Sequence, residues 1–215
     1  MTDISKRIKA LFFLRAIFLI SLVAGIGSFL TEAIALSFGE GHVFSEAGSM
    51  TIYVFVSIFT ILKLLVIVLV AATLILSAKV NKECFIALCF ALVAAVLAIL
   101  SGVFQYISNT KLVGWILGLA SGLVFAAATF LLIDGIFDKQ ARKTPLFSFA
   151  MLGICLMVVS NVLSFLVYLI KTPEGLLGAV YSAAEVTTIL YSAILFLAIH
   201  LCLKEIKNTK ESEAI

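Results

Sequence analysis

Charged residues are scarce in this sequence, and most of them are confined to short clusters. They make up 13% of the 215 residues, whereas hydrophobic residues make up 63%. So little polar surface does not cover a water-soluble globule, and this excludes the soluble classes of enzyme and binding protein. Lipid is therefore the expected surrounding of most side chains.

Proline is nearly absent as well. Pro145 and Pro173 each stand at the start of an apolar stretch, where a missing backbone N–H costs little. The apolar stretches are continuous and do not alternate with polar residues, which favours helices over the strands of a membrane barrel. We expect an all-α fold, a polytopic membrane helix bundle.

Six apolar stretches are long enough to cross a bilayer, whose ~30 Å hydrocarbon core requires about 20 helical residues. We predict one six-helix transmembrane domain over residues 1–205 and a short charged tail over residues 206–215. Spans one to six are predicted at residues 16–38, 51–77, 84–107, 112–137, 145–170 and 177–203.

Residues that bind metals or form disulfides are few. The two histidines lie near the edges of the predicted bundle, so paired intramembrane haem ligands are not expected. His42 with Glu46, and His200 with Cys202, are better explained as ordinary loop and helix residues than as metal ligands. None of the four cysteines lies in a predicted outer loop, so a disulfide framework is not expected either.

A catalytic constellation is also missing from the sequence. No nucleophile, base and acid group together at one face, and no nucleotide-binding motif is present. We therefore expect no enzymatic activity and no cofactor, with a lipid-modifying enzyme kept as an alternative.

Basic residues, which give the net charge of +3, lie mainly in the predicted connections on one side of the membrane. The positive-inside rule explains this distribution without nucleic acid and places both termini in the cytoplasm. Tyr53, Tyr106, Trp115, Tyr168 and Tyr181 fall at the opposite span ends, where aromatic rings prefer the headgroup layer. The clustered basic residues are Lys6, Arg7, Lys9, Arg15, Lys79, Lys82, Lys139, Arg142, Lys143, Lys204, Lys207 and Lys210.

Lys63 stands alone as a charge within span two, where a central lysine costs about 2.5 to 3.5 kcal/mol without a partner. Glu185 in span six is the predicted partner: Lys63 precedes Lys79 by 16 residues and Glu185 precedes Lys204 by 19. The difference is about 4.5 Å of helix, within reach of a lysine side chain. Glu32 in span one is the alternative partner. The pair is interpreted either as a structural pin or as a substrate or proton site.

Polar side chains in spans five and six predict a second feature. Asn161, with Ser160 and Ser164, gives span five a polar face, and either a polar cavity or ordinary interhelical hydrogen bonds explain it. Span six continues the polarity at Thr187, Thr188, Tyr191 and Ser192.

Small residues recur every four positions in span four, at Gly114, Gly118, Gly122 and Ala126. Such a stripe lets two helix backbones approach closely. We predict that spans three and four pack against each other, and a homodimer face is the alternative. The matching small residues of span three are Ala87, Ala91, Ala95, Ala98 and Gly102.

Several short segments carry a family resemblance. The run Lys79-Val80-Asn81-Lys82 leading into Phe85-Ile86-Ala87-Leu88, with Ala24-Gly25-Ile26 and the early Glu185 of span six, resembles a bacterial family of six-helix integral membrane proteins of unknown function. The resemblance implies a bacterial inner-membrane protein. Lys63 departs from that family, in which an acid nearby is more usual.

Two functional hypotheses follow from these features. The first is a small-solute or proton-coupled carrier with Lys63, Glu185, Asn161 and Glu32 at its site, favoured by intramembrane charge and by the lack of a soluble domain. The second is a membrane accessory or assembly subunit that binds other helices, or a second copy of itself, through the glycine stripe.

Overall fold

The computed structural model describes residues 3–37, 82–107, 110–137, 144–169 and 174–213, together with single positions between 54 and 75. These residues form five long helices, and no strand occurs among them. The helices are α1 (Asp3–Ser37), α2 (Lys82–Tyr106), α3 (Lys111–Ile136), α4 (Pro145–Leu169) and α5 (Glu174–Glu213).

The five helices correspond to predicted spans one and three to six. Each contains a segment long and apolar enough to cross a membrane, which supports a multi-pass helical membrane protein. In the region of span two the described positions are helical, and they are Val54, Ile58, Leu65, Val70, Ala72, Thr73 and Ile75. The membrane-length segments are Ile8–Gly27, Lys82–Gln105, Lys111–Ile136, Pro145–Val167 and Ser182–Ile206.

Neighbouring helices form a continuous series of contacts. The pair α2 and α3 is a hairpin, α3 also packs against α4, α4 against α5, and α5 against α1. The predicted packing of spans three and four is therefore present in the α2–α3 hairpin.

The tightest part of the core lies at one end of the bundle. Leu11 of α1 and Cys84 of α2 are fully buried there with Ile133 of α3 and Ile199 of α5. These residues lie near the beginning of α1 and α2 and near the end of α3 and α5. Hence α1 and α2 enter the bundle from the same end, and α3 and α5 run in the opposite direction.

Much of the outer surface is apolar, as a lipid-facing surface requires. Ile99 of α2 is 67% exposed and Leu112 of α3 is 57% exposed, and large aliphatic side chains like these recur along the described helices. Because water-soluble monomers rarely expose so much contiguous apolar surface, this outer face is suited to the hydrocarbon of a bilayer.

Candidate functional site

A cavity of about 160 Å³ lies between the helices near the middle of their membrane-length segments. A cavity of this size accommodates several water molecules or a solute about as large as benzene. Its wall receives side chains from all five helices and from two described positions of the span-two region. The lining residues are Leu14, Ile17, Phe18, Ser21, Val70, Thr73, Ala91, Phe125, Ala128, Thr129, Leu132, Met157 and Tyr191.

The polar groups of this wall are hydroxyls. Ser21 of α1, Thr129 of α3 and Tyr191 of α5 contribute three, and Thr73 contributes a fourth. The Thr129 hydroxyl donates a hydrogen bond to the carbonyl of Phe125, at 2.9 Å, which still leaves its oxygen able to accept another. No charged side chain belongs to the described lining, so the wall is suited to a small solute that is neutral or weakly polar.

Polar residues at the α4–α5 contact form a short hydrogen-bond chain. The Ser160 and Thr188 hydroxyl oxygens are 2.6 Å apart, and the Thr188 hydroxyl donates to the carbonyl of Ala184, at 2.9 Å. Ser160 is buried, so this chain satisfies a hydroxyl that lipid cannot solvate. Ser164, predicted on the same polar face, is exposed, and Ser192 is buried.

Asn161 does not share the contact of its neighbour Ser160. Its amide nitrogen donates to the carbonyl of Met157, at 2.8 Å, and its amide lies directly against Gly122 of α3. A Cβ built on Gly122 would lie 2.5 Å from the Asn161 Cγ. Ser160 therefore contacts α5 while Asn161 contacts α3, and Asn161 is not part of the cavity wall.

The glycine stripe of α3 is occupied by two different helices. A Cβ on Gly114 would lie 2.9 Å from the Ser101 carbonyl oxygen of α2, and one on Gly118 would lie 3.0 Å from the Ser101 hydroxyl. A four-residue step turns an α-helix by about 40° beyond a full rotation, so the stripe passes from α2 at Gly114 to α4 at Gly122. Ala126, the last member, is buried.

Hydrogen bonds reinforce the α2–α3 approach. The Ser101 hydroxyl donates to the carbonyl of Gly114, at 2.7 Å, and the Gln105 amide donates to the Ser101 hydroxyl, at 3.0 Å. At the other end of the contact the Ser121 hydroxyl donates to the carbonyl of Ala94, at 2.7 Å. Close backbone approach is what exposes these carbonyls to donors on the facing helix.

The contact face of α2 differs from the predicted one. Ala95 and Ala98 are exposed, and a Cβ on Gly102 would meet nothing within 4 Å. The buried small residues are Ala87, Ala91, Ala94 and Ser101, whose spacing of four, three and seven follows the helical period. Ala87 and Ala91 are buried as predicted, whereas the extension of the contact to Ala95, Ala98 and Gly102 is wrong.

The predicted charged site is described only in part. Glu185 is half-buried on α5, six residues before the cavity residue Tyr191. Lys63 lies outside the described residues, and Glu32 falls within α1 but its side chain is not described. The Lys63–Glu185 contact and its Glu32 alternative stay predictions.

Metal-binding groups do not gather in the part of the chain that the structure describes: no three His, Cys, Asp or Glu side chains come together there. His200 is exposed and stacks on Phe196, with ring centroids 5.9 Å apart, whereas Cys202 is buried in the core. The two residues therefore face different surroundings.

Sequence reasoning missed three of the four cavity hydroxyls, those of Ser21, Thr73 and Thr129. Thr73 carried a usable signal, because it stands as a single hydroxyl within a long aliphatic run. Ser21 and Thr129 resemble the other hydroxyl residues of their helices and carried none.

The chain matches no protein-family model, and comparison with curated proteins and with solved structures finds no significant match.

Proposed function

We propose that this protein is a six-span carrier that moves a small solute across a membrane by binding it in the central cavity. The cavity is the observation that supports this proposal, because mid-membrane solute sites form where several spans contribute polar groups to one space. Four hydroxyls in an otherwise apolar wall suit a small neutral solute with a few hydrogen-bonding groups.

A sixth span is part of this proposal. Leu11 of α1 and Cys84 of α2 lie in the same buried cluster, so both helices begin at one end of the bundle. The chain therefore has to return across the bundle between Ser37 and Lys82, and residues 51–77 are apolar enough for that return. Six crossings leave both termini on one side, which the basic clusters predict to be the cytoplasm of a bacterial cell.

Lys63 and Glu185 are proposed as the charged part of the pathway. Lys63 precedes the cavity residue Val70 by seven positions, and Glu185 precedes the cavity residue Tyr191 by six. These separations correspond to about 10.5 Å and about 9 Å of helix, in the direction of the predicted outer face. An ion pair at this level would stand between the cavity and the outer leaflet, as a gate or as a proton site.

The glycine stripe of α3, the surface proposed for binding a partner in the accessory-subunit hypothesis, is in contact with other helices of the same chain. Gly114 and Gly118 contact α2, and Gly122 contacts Asn161 of α4 within the same chain. A partner helix or a second copy would have to bind another face, and no contact among the described residues favours a particular one.

Permeability of reconstituted protein tests the proposal. Proteoliposomes transferred into hyperosmotic solutions of urea, glycerol or small amino acids shrink and then recover at a rate that light scattering records. We expect faster recovery than in protein-free liposomes for at least one neutral solute, and a loss of that excess in Thr129→Leu, which fills the cavity.

Phe130→Leu is the matched control, because Phe130 neighbours Thr129 on α3 but is 40% exposed on the outer surface. It is expected to keep wild-type permeability. Recovery no faster than in protein-free liposomes for every solute would contradict the proposal, as would equal loss in both variants.

A further inference from the structure

A second, larger cavity of about 470 Å³ lies between the beginning of α1 and the end of α5. One part of its wall is basic, with Arg15 and Lys204, and the other part is apolar and aromatic. Phe12, at the apolar wall, is 54% exposed. We call this cavity the basic groove, and its lining residues are Ile8, Lys9, Phe12, Phe13, Arg15, His200, Leu203 and Lys204.

Arg15 is held in place at the centre of the basic groove by two contacts. Its guanidinium carbon stands 5.0 Å from the centroid of the Phe12 ring, a cation–π distance. Its Nη1 lies 3.4 Å from Nδ1 of His200 on α5. An arginine only donates hydrogen bonds, so Nδ1 is the acceptor and a neutral His200 carries its proton on Nε2.

His200 thereby becomes a second donor beside the guanidinium. The imidazole is also stacked on Phe196, with ring planes 26° apart. Lys204 follows His200 by four residues and so lies on the same side of α5. Four nitrogen-donor side chains from two helices thus line one space, and those of Lys9, Arg15 and Lys204 carry a positive charge.

We propose that the basic groove binds the phosphate of an anionic glycerophospholipid from the leaflet at the predicted cytoplasmic face. Arg15, His200 and Lys204 would contact the phosphate oxygens, and the hydrogen bonds from the two cations would be charge-assisted. Phe12, Phe13 and Leu203 would contact the glycerol and the upper part of the acyl chains.

Position and lining favour a lipid over a soluble anion. The groove residues of α1 and α5 fall within the membrane-length segments Ile8–Gly27 and Ser182–Ile206, at the ends that the topology places together. Basic pockets between helices at the cytoplasmic face recruit anionic lipid headgroups, and aromatic side chains partition to this depth. A soluble phosphate would gain nothing from the exposed phenyl ring of Phe12.

Native mass spectrometry of the full chain, titrated with phosphatidylglycerol or with phosphatidylcholine, tests this inference. We expect the wild-type protein to retain phosphatidylglycerol preferentially. Arg15→Gln and Lys204→Gln should each weaken that binding about fivefold, from about 1 kcal/mol per basic side chain at the membrane surface. Lys82→Gln is the matched control, since Lys82 is an exposed cation at the same predicted face but outside the groove.

Arg15→Lys keeps the charge and provides a second test if Arg15→Gln does not fold. It should retain part of the preference while losing the His200 contact. An equal loss of phosphatidylglycerol binding in Lys82→Gln would show that surface charge alone attracts the lipid, and it would overturn the proposal. Unchanged binding in the groove variants, or displacement of the lipid by inorganic phosphate at comparable concentration, would overturn it as well.

Discussion

Asn161 on α4 lies against Gly122 on α3, in the space that a Cβ on residue 122 would occupy. The amide is held in that position by its hydrogen bond to the Met157 carbonyl of its own helix. Glycine at 122 thus permits a close α3–α4 contact, while Gly114, about 80° away around the same helix, permits the α2 contact. The two contacts connect the α2–α3 hairpin to the remainder of the described bundle.

Gly122→Ala should therefore destabilise the protein by about 1 to 3 kcal/mol, because the new methyl group overlaps the Asn161 amide. Gly102→Ala is the matched control: a Cβ there meets nothing within 4 Å, and we expect unchanged or slightly higher stability. Thermal unfolding in detergent, followed by helical circular dichroism, measures both. The double variant Gly122→Ala with Asn161→Ala should recover most of the loss, and equal effects of the two glycine substitutions would refute the contact.

Ser160 and Thr188 should behave as one hydrogen-bonded unit. Ser160→Ala and Thr188→Ala each remove one partner of the 2.6 Å contact, and each is expected to cost under about 1 kcal/mol. The double variant should cost less than the sum of the two, since the shared bond is lost only once. A double-mutant cycle on detergent unfolding measures the coupling, and strict additivity would mean that the two hydroxyls do not interact.

Lys63 and Glu185 are predicted to form an intramembrane pair. Lys63→Ala and Glu185→Ala should each lower stability by about 3 to 5 kcal/mol, because each leaves a buried charge without its partner. The exchange Lys63→Glu with Glu185→Lys should restore stability. Thermal unfolding checks this expectation. If the single variants keep wild-type stability and the exchange has no further effect, the contact is absent.

Solute flux separates the two roles of that pair. A structural pin requires only opposite charges, so the exchanged variant should recover both stability and flux. A substrate or proton site requires each group at its own position, so the exchanged variant should recover stability and remain inactive. A proton site therefore predicts the second result, whereas a gate, which requires only opposite charges, predicts the first.

Sequence predicted the class of this fold well because length and hydropathy alone decide whether a helix crosses a membrane. It also predicted the α2–α3 hairpin contact, since glycines at Gly114 and Gly118 have few other uses in an apolar helix. It did not predict which way each helix is rotated. Helices that are apolar all round carry no periodic signal for the buried face, so Ala94 was missed.

The cavity was the harder part to predict for the same reason. Asn161 and Ser160 were expected to share a polar surface, but helical rotation sends them to α3 and α5. Ser21 and Thr129 line the cavity, but α1 and α3 contain other hydroxyl residues that cannot be told apart from them by sequence alone. Their role emerges only when several helices are placed around one space.

Access of water-borne reagents to the cavity tests the central claim most directly. In a background with the four cysteines replaced by alanine, Thr129→Cys and Ser21→Cys would be exposed to small membrane-impermeant thiol reagents in right-side-out and inside-out vesicles. A separate variant that keeps Cys155 as its single cysteine is the control, because Cys155 is exposed on the outer surface of α4. A carrier that alternates its access predicts modification at 129 and 21 from both sides, and none at 155 from either. Modification from neither side would contradict the account.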